Sequence, residues 1–125
     1  MRKILIIDDE EDLTFFVKAN LELAGDYEVE VATNGRDGIK LANRQKFDLI
    51  LLDIIMPHMD GFEVLEALKK NKKTLAIPVV MLTAKGDDKS KTKAASLYDE
   101  DYIVKPVQID FLKTKIDEAL ARREP

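Results

Sequence analysis

Short apolar segments alternate with helical patterns along the whole chain, and this alternation constrains the fold more than any other feature. Runs of four apolar residues stand at 4–7, 49–52 and 79–82, as is typical of strands buried on both faces. Residues 27–31 alternate apolar residues with glutamates, as in a half-exposed edge strand, and residues 102–104 form a short last strand. Five strands, each followed by a helical pattern, predict a parallel sheet with right-handed crossovers and helices on both faces.

The helical segments carry start and stop signals that fix their places between the strands. The first helix is predicted at 11–24, with Gly25 ending it. Asp60 and Glu63 predict a capping box at the start of the third helix. The other predicted helices span 35–45, 87–97 and 108–122. The expected fold is a flavodoxin-like doubly wound (βα)5 sandwich, with a five-stranded parallel sheet in the order 2-1-3-4-5.

Composition excludes several classes of protein. The chain has no cysteine, which excludes disulfides and thiolate metal sites. A net charge of -4, with the lysines at 69–73 predicted to be a solvated helix end, argues against direct nucleic-acid binding. Only four apolar residues separate Lys3 from Asp8, too few for a signal peptide or a membrane span. We therefore expect one cytoplasmic domain over residues 1–125, without membrane contact.

Residues able to do chemistry stand at the carboxyl ends of four of the five predicted strands. They are Asp8 and Asp9 after the first strand, Asp53 after the third, Thr83 after the fourth and Lys105 after the fifth. Each aspartate alone is most simply a turn former or helix cap. Because the carboxyl ends of parallel strands share one edge of the sheet, the agreement of four ends predicts a common pocket there.

This set of side chains predicts a phosphoryl-transfer site. Crowded carboxylates need raised pKa values or a cation at neutral pH, and Mg²⁺, or Mn²⁺ in its place, prefers oxygen ligands. Asp53 stands singly at the centre of the rim and is the predicted phosphoryl acceptor, whereas Asp8 and Asp9 are the predicted metal ligands. Lys105 and Thr83 would hold the phosphoryl oxygens.

Four sequence motifs resemble the receiver domain of bacterial two-component response regulators, over essentially the whole chain. The motifs are Ile-Ile-Asp-Asp-Glu at 6–10, Asp53 with Met-Pro at 56–57 and Met-Asp-Gly at 59–61, Leu-Thr-Ala at 82–84, and Tyr-Ile-Val-Lys-Pro at 102–106. The resemblance implies that Asp53 takes a phosphoryl group from a sensor histidine kinase or a histidine phosphotransfer protein. It also implies a signalling switch, not an enzyme, that catalyses only its own phosphorylation and dephosphorylation.

The resemblance further implies roles at the metal. The backbone carbonyl of Ile55 would join Asp9 and Asp53 on Mg²⁺, and Asp8 would act mainly through bound water.

The resemblance likewise implies a switch pair, Thr83 and Tyr102. The Thr83 hydroxyl would turn to the phosphate, the backbone of Ala84 would contact it, and Tyr102 would move inward. The Lys105–Pro106 peptide bond would be cis. His58, the only histidine, is predicted to be exposed and to have no role as a phosphodonor.

The chain departs from the family pattern in two places. Tyr98-Asp99 replaces a usual Gly-Ala pair and is followed by Glu100 and Asp101, an acidic turn that suggests altered partner recognition. Phe111 and Lys115 stand where DNA-binding relatives commonly carry a Glu and an Arg that pair in dimers. The loss of this charge pair favours a monomer, or a weak phosphorylation-dependent dimer. We expect it to bind a downstream protein through the last strand and its flanking helices.

Three alternatives remain open from the sequence. The first is a receiver domain cut from a longer DNA-binding response regulator. The second is an aspartyl-nucleophile phosphatase resembling haloacid dehalogenases, but those enzymes need Asp-x-Asp where this chain has Asp-Asp-Glu at 8–10. The third is a flavodoxin-type carrier of flavin or nucleotide, but no Gly-rich or Ser/Thr-rich phosphate loop follows Ile7.

Overall fold

The computed structural model describes residues 1–84 and 100–123, so the helix predicted at 87–97 lies outside the described residues. The strands are β1 (Arg2–Ile7), β2 (Tyr27–Ala32), β3 (Leu49–Asp53), β4 (Val79–Thr83) and β5 (Asp101–Val104). They form one parallel sheet in the order β2-β1-β3-β4-β5. The predicted doubly wound fold and its strand order are confirmed, and the glutamate-rich β2 is indeed an edge strand.

The described helices begin and end close to the predicted positions. They are α1 (Glu11–Leu23), α2 (Gly35–Arg44), α3 (Gly61–Lys69) and α4 (Ile109–Arg123). Gly25 follows α1 with φ +89°, in the left-handed region that glycine tolerates. The predicted capping box of α3 is present, since Asp60 Oδ1 accepts from Glu63 N at 2.9 Å and Glu63 Oε1 accepts from Asp60 N at 3.1 Å.

Two apolar layers hold the sheet between its helices. On β1, Ile4 and Ile6 face the layer that includes α1 and α4, whereas Leu5 and Ile7 face the layer that includes α2 and α3. Both sets are fully buried, which explains why β1 is an unbroken apolar run rather than an alternating one. Burial on both faces fixes the centre of the sheet and therefore the positions of its strand ends.

Side chains of α1 cover the backbone at the free edge of β2. Val29 donates its N–H to Glu22 Oε2 at 3.0 Å, and its carbonyl oxygen accepts from Lys18 Nζ at 2.6 Å. Lys18 and Glu22 also pair with each other at 3.0 Å. The hydrogen bond from Val29, followed by the Lys18 interaction, lowers the pKa of the Glu22 carboxyl. The edge thus has its exposed backbone groups at Val29 satisfied from within the chain.

The acidic turn before β5 has a buried carboxylate rather than only solvated ones. Glu100 is buried, with Oε1 2.5 Å from Lys69 Nζ and Oε2 accepting from Val79 N at 3.0 Å. Lys69 therefore does not belong to a solvated helix end either. Asp101 pairs with Arg122 of α4. These two acids are neutralised within the chain, and they do not support the predicted acidic recognition surface; residues 98 and 99 lie outside the described residues.

Candidate functional site

The sheet brings the predicted site residues to one rim. Ile7 of β1 is in register with Leu52 of β3, so that Asp8 and Asp53 follow on adjacent strands. On the other side of β3, Asp53 pairs with Leu82, and Thr83 follows at the end of β4. The Lys105 N–H donates to the Thr83 carbonyl oxygen at 2.7 Å. This bond holds the end of β5, which carries Lys105, beside the end of β4. The juxtaposition follows from parallel strands in this order.

Lys105 lies at the centre of the site and contacts three carboxylates. Its Nζ is 2.7 Å from Glu10 Oε1, 3.1 Å from Asp8 Oδ2 and 3.3 Å from Asp53 Oδ1. The Lys105 side chain is 17% exposed. The predicted meeting of Asp8, Asp53 and Lys105 is thus present, and a third carboxylate joins it.

Burial and the charges of neighbouring carboxylates raise the pKa values of the two buried carboxyls. Burial, and next the charge of Asp8, raises the pKa of Asp53 to about 7 against the opposing effect of Lys105. Burial also raises the pKa of Asp8, although the Glu10 N–H donates to its Oδ1 at 2.9 Å. Burial alone would lower the pKa of the Lys105 ammonium, but the hydrogen bond to Glu10 and the neighbouring carboxylates raise it. An extra positive charge would relieve this excess of negative charge.

The carboxylates fit a divalent cation. One oxygen from each of Asp8, Glu10 and Asp53 lies within 4.8 Å of the others. Asp8 Oδ2 is buried and makes no hydrogen bond of good geometry in the described part of the chain, although Lys105 Nζ lies 3.1 Å away. A buried carboxylate oxygen whose hydrogen bonding is incomplete, beside further carboxylates, is what a hard cation such as Mg²⁺ would satisfy.

Two of the predicted metal ligands stand outside this cluster. Asp9 is exposed, although its charge contributes to the raised pKa of Asp53, which places it near the site. Ile55 is 62% exposed at the rim, immediately beyond the buried Ile54. Their coordination of a metal stays a prediction.

Glu10 is the site residue that sequence reasoning missed. It occupies the N-cap position of α1, where an acidic side chain is expected to accept from the helix backbone. Its side chain makes no such cap and reaches Lys105 instead. The signal was the third acid of the Asp-Asp-Glu run, but sequence alone does not tell which way an N-cap carboxylate turns.

The predicted switch residues lie on neighbouring strands. Thr83 is fully buried, and its hydroxyl donates to the carbonyl oxygen of exposed Ala84 at 3.3 Å, a long and weak bond. Tyr102, in register with Met81, is 41% exposed. The roles of Thr83 and Tyr102 as a switch pair stay a prediction.

Two smaller expectations about the loops are confirmed. The Lys105–Pro106 peptide bond is cis. His58 is exposed, with φ +71°.

Gly61 packs directly against the backbone of the strand end that carries Asp53. A Cβ at this position would clash with the carbonyl oxygen of Asp53 and lie 2.7 Å from Ile54 Cα. The Gly61 N–H also donates to the Ile54 carbonyl oxygen at 2.7 Å. Glycine is therefore required here by close approach, which holds the start of α3 against the end of β3.

Over residues 1–84 and 100–123, no helix has the length and apolar character needed to cross a membrane.

Comparisons with known proteins agree on one family. The family model described as "Response regulator receiver domain" matches residues 4–117. The chain is 40% identical over 123 residues to the DNA-binding dual master transcriptional regulator RpaA of Synechocystis, covering 98% of this chain and 50% of RpaA. It is 38% identical over 121 residues to Protein PilH of Pseudomonas aeruginosa, covering 97% of this chain and 99% of PilH. The chain thus spans about half the length of RpaA and of several other curated relatives, but nearly all of PilH.

A structural comparison gives the same result. A response regulator receiver domain protein from Clostridium thermocellum superimposes with a TM-score of 0.89 and 30% sequence identity. The match covers 98% of this chain and 97% of that one.

Proposed function

The chain belongs to the response regulator receiver domain family, and from this membership we propose that it is a phosphorylation-dependent signalling switch. Asp53 accepts a phosphoryl group from a sensor histidine kinase or a histidine phosphotransfer protein, and the phosphorylated form binds a downstream protein with altered affinity. The observation that most supports this proposal is the contact of Lys105 with both Asp8 and Asp53 at one strand-end rim.

In the proposed reaction, an Asp53 carboxylate oxygen attacks the phosphorus atom and forms an acyl phosphate. The bond from phosphorus to the donor nitrogen breaks, and the electron pair leaves with that nitrogen. Lys105, 3.3 Å from Asp53 Oδ1, is placed to move from the carboxylate to an oxygen of the transferred group. The Thr83 hydroxyl gives up its weak bond to Ala84 and donates to another phosphoryl oxygen, and the Ala84 backbone contacts the phosphate.

Asp8, Asp53, Asp9 and the carbonyl of Ile55 are the proposed metal-holding groups, and Glu10 stands in the same carboxylate cluster. When bound, Mg²⁺ neutralises charge on the transferring phosphoryl group. The protein's own contribution is to hold the buried Asp8 and Asp53 side chains together despite their repulsion.

We expect Mg²⁺ both to stabilise the fold and to be required for phosphorylation. A cation bound only by the folded state adds about 2.7 kcal/mol to the free energy of unfolding when its concentration is 100 times its dissociation constant. Thermal unfolding during a Mg²⁺ titration measures the first effect. Intact mass after incubation with acetyl phosphate measures the second. One added phosphoryl group with Mg²⁺, and none with a chelator, is the expected result; equal labelling with and without the chelator would contradict the metal assignment.

We expect Gly61→Ala to slow phosphorylation more than its loss of stability explains. The added methyl pushes on the backbone that carries Asp53, at a cost of about 1–3 kcal/mol for overpacking. Gly25→Ala is the matched control, because its left-handed φ also makes alanine unfavourable while nothing lies within 4 Å of the new Cβ. Initial rates of labelling, taken where both variants are folded, compare the two. Equal rates would show that Gly61 does not position Asp53.

The proposed surface for the downstream protein lies on β5 and α4. Tyr102, Val104 and Phe111 expose 41%, 37% and 49% of their surfaces there. Lys115 Nζ lies over the Phe111 ring, 5.5 Å from its centre. Movement of Tyr102 on phosphorylation would change the shape of this surface.

A receiver domain within a longer DNA-binding regulator is the second candidate. The chain matches half of RpaA and nearly all of PilH, so both candidates fit the comparisons. The chemistry proposed for Asp53 is the same in both.

A further inference from the structure

We infer that Glu10 is a specificity-determining residue for the phosphoryl donor, and that it disfavours small, strongly anionic donors such as acetyl phosphate. The inference rests on the proposed role of Asp53. Glu10 makes the shortest of the three carboxylate contacts with Lys105, at 2.7 Å. Its side chain is 59% exposed, whereas that of Asp53 is 7% exposed. Glu10 therefore stands at the mouth of the site, between solvent and the reacting oxygen.

An incoming phosphoryl group must compete with Glu10 for Lys105. A lysine ammonium has three N–H donors, and this one faces three carboxylates. Asp8 is fully buried and Asp53 is the last residue of β3, so neither withdraws without disturbing the strand ends. Glu10 at the start of α1 is able to turn outward into solvent. Binding of the donor therefore displaces Glu10 first.

Among the described residues, Glu10 also decides whether the metal-bound rim is negative or neutral. With Asp8, Asp9, Glu10 and Asp53 ionised, the carboxylates exceed the Lys105 ammonium by three negative charges. A divalent cation reduces the excess to one. Without the Glu10 charge, the metal-bound site would be neutral. The residual charge repels an anionic donor, and it repels a doubly charged donor more than a singly charged one.

The groove beside the site offers little to offset this repulsion. A groove of about 520 Å³ opens beside Glu10 and runs past Phe16 to Pro106. Lys105 is the one cationic side chain among the described residues that line it, and Asp12 adds a further negative charge. Among the described residues of the groove, a small free anion therefore finds no second cation, whereas a protein donor brings its own groups.

The test compares two small donors of different charge on wild type and Glu10→Gln, with saturating Mg²⁺. Acetyl phosphate carries more negative charge at neutral pH than phosphoramidate. We expect the second-order rate constant for acetyl phosphate to rise roughly threefold to tenfold in Glu10→Gln, and that for phosphoramidate to rise less than about twofold. The ionic-strength dependence of the acetyl phosphate rate should also become flatter, which a merely structural role would not cause.

Two further variants separate charge from position. Glu11→Gln removes the same charge from the adjacent exposed position and should leave the donor ratio unchanged. Glu10→Asp keeps the charge and should keep the wild-type donor preference. A Glu10→Gln protein that is labelled with the wild-type donor ratio overturns this inference alone, as does an equal change in Glu11→Gln. A wild type that neither donor labels overturns the proposed function, and the inference with it.

Discussion

Replacing Asp53 with Asn is expected to abolish phosphorylation and at the same time to stabilise the metal-free fold. The amide keeps the shape of the side chain but has no carboxylate oxygen able to attack phosphorus. After incubation with acetyl phosphate and Mg²⁺, the variant should show no added phosphoryl group by intact mass, whereas the wild type should show one. Retention of label in Asp53→Asn would place the acceptor elsewhere.

The gain in stability follows from the raised pKa of Asp53. Burial, followed by the charge of Asp8, raises that pKa to about 7 in the folded state, above the value of about 4 expected in the unfolded chain. Between these values the folded state binds more protons than the unfolded state. The free energy of unfolding therefore falls as pH rises from about 4 to about 7, and stays low above pH 7. Asparagine cannot ionise and avoids this loss.

We expect the metal-free variant to exceed the wild type by about 2–4 kcal/mol at pH 8 and to match it near pH 4. Urea unfolding at both pH values, with a chelator present, measures the difference. Asp12→Asn, an exposed aspartate in the first turn of α1, is the matched control and should not gain stability. Saturating Mg²⁺ should reduce the advantage of Asp53→Asn, because the cation relieves the same repulsion. A less stable Asp53→Asn at pH 8 would contradict the electrostatic account.

Removing one partner of the buried ion pair between Lys69 and Glu100 is expected to cost about 3–5 kcal/mol of the free energy of unfolding. The two side chains are 7% and 3% exposed. Lys69 Nζ also donates to the carbonyl oxygens of Leu75 and Ile77 at 3.3 Å each. Glu100→Gln would leave the Lys69 ammonium buried without its counter-charge. Lys69→Met would leave the Glu100 carboxylate buried without its counter-charge. The pair joins the end of α3 to the residue before β5.

Urea unfolding of single and double variants measures this cost. The double variant Lys69→Met/Glu100→Gln should lose less than the sum of the single losses, because neither charge remains unpaired. Lys70→Met is the matched control. It breaks the adjacent pair with Glu66, whose side chains are 72% and 60% exposed, and should cost no more than about 0.5 kcal/mol. Additive losses, or equal costs for Lys69→Met and Lys70→Met, would contradict a coupled buried pair.

The fold and most of the site follow from local sequence because the determining signals are local. Four apolar residues in a row before Asp8 and before Asp53 are enough to predict buried parallel strands, and the topology then brings their ends together. The capping box at Asp60 is likewise contained within four residues. What was predicted correctly depends on periodicity and strand order, not on the direction of single side chains.

The parts that sequence reasoning missed depend on contacts between distant residues. Glu10 meets Lys105 and Glu100 meets Lys69 only after the sheet has formed. An acid at a helix start or in a turn is normally solvated, so local pattern alone favours the wrong environment for both. A charged side chain is buried only where the fold brings a partner from a distant part of the sequence. The periodicity of apolar residues does not indicate where this happens.

The ion pair that covers Val29 on β2 has a consequence for behaviour at high concentration. A second chain that tried to extend the sheet on that side would have to break two hydrogen bonds to the backbone and separate Lys18 from Glu22 before gaining any pairing of its own. The outer edge at β2 is therefore a poor template for fibrils, and crowding should not convert the native protein into stacked strands along this edge.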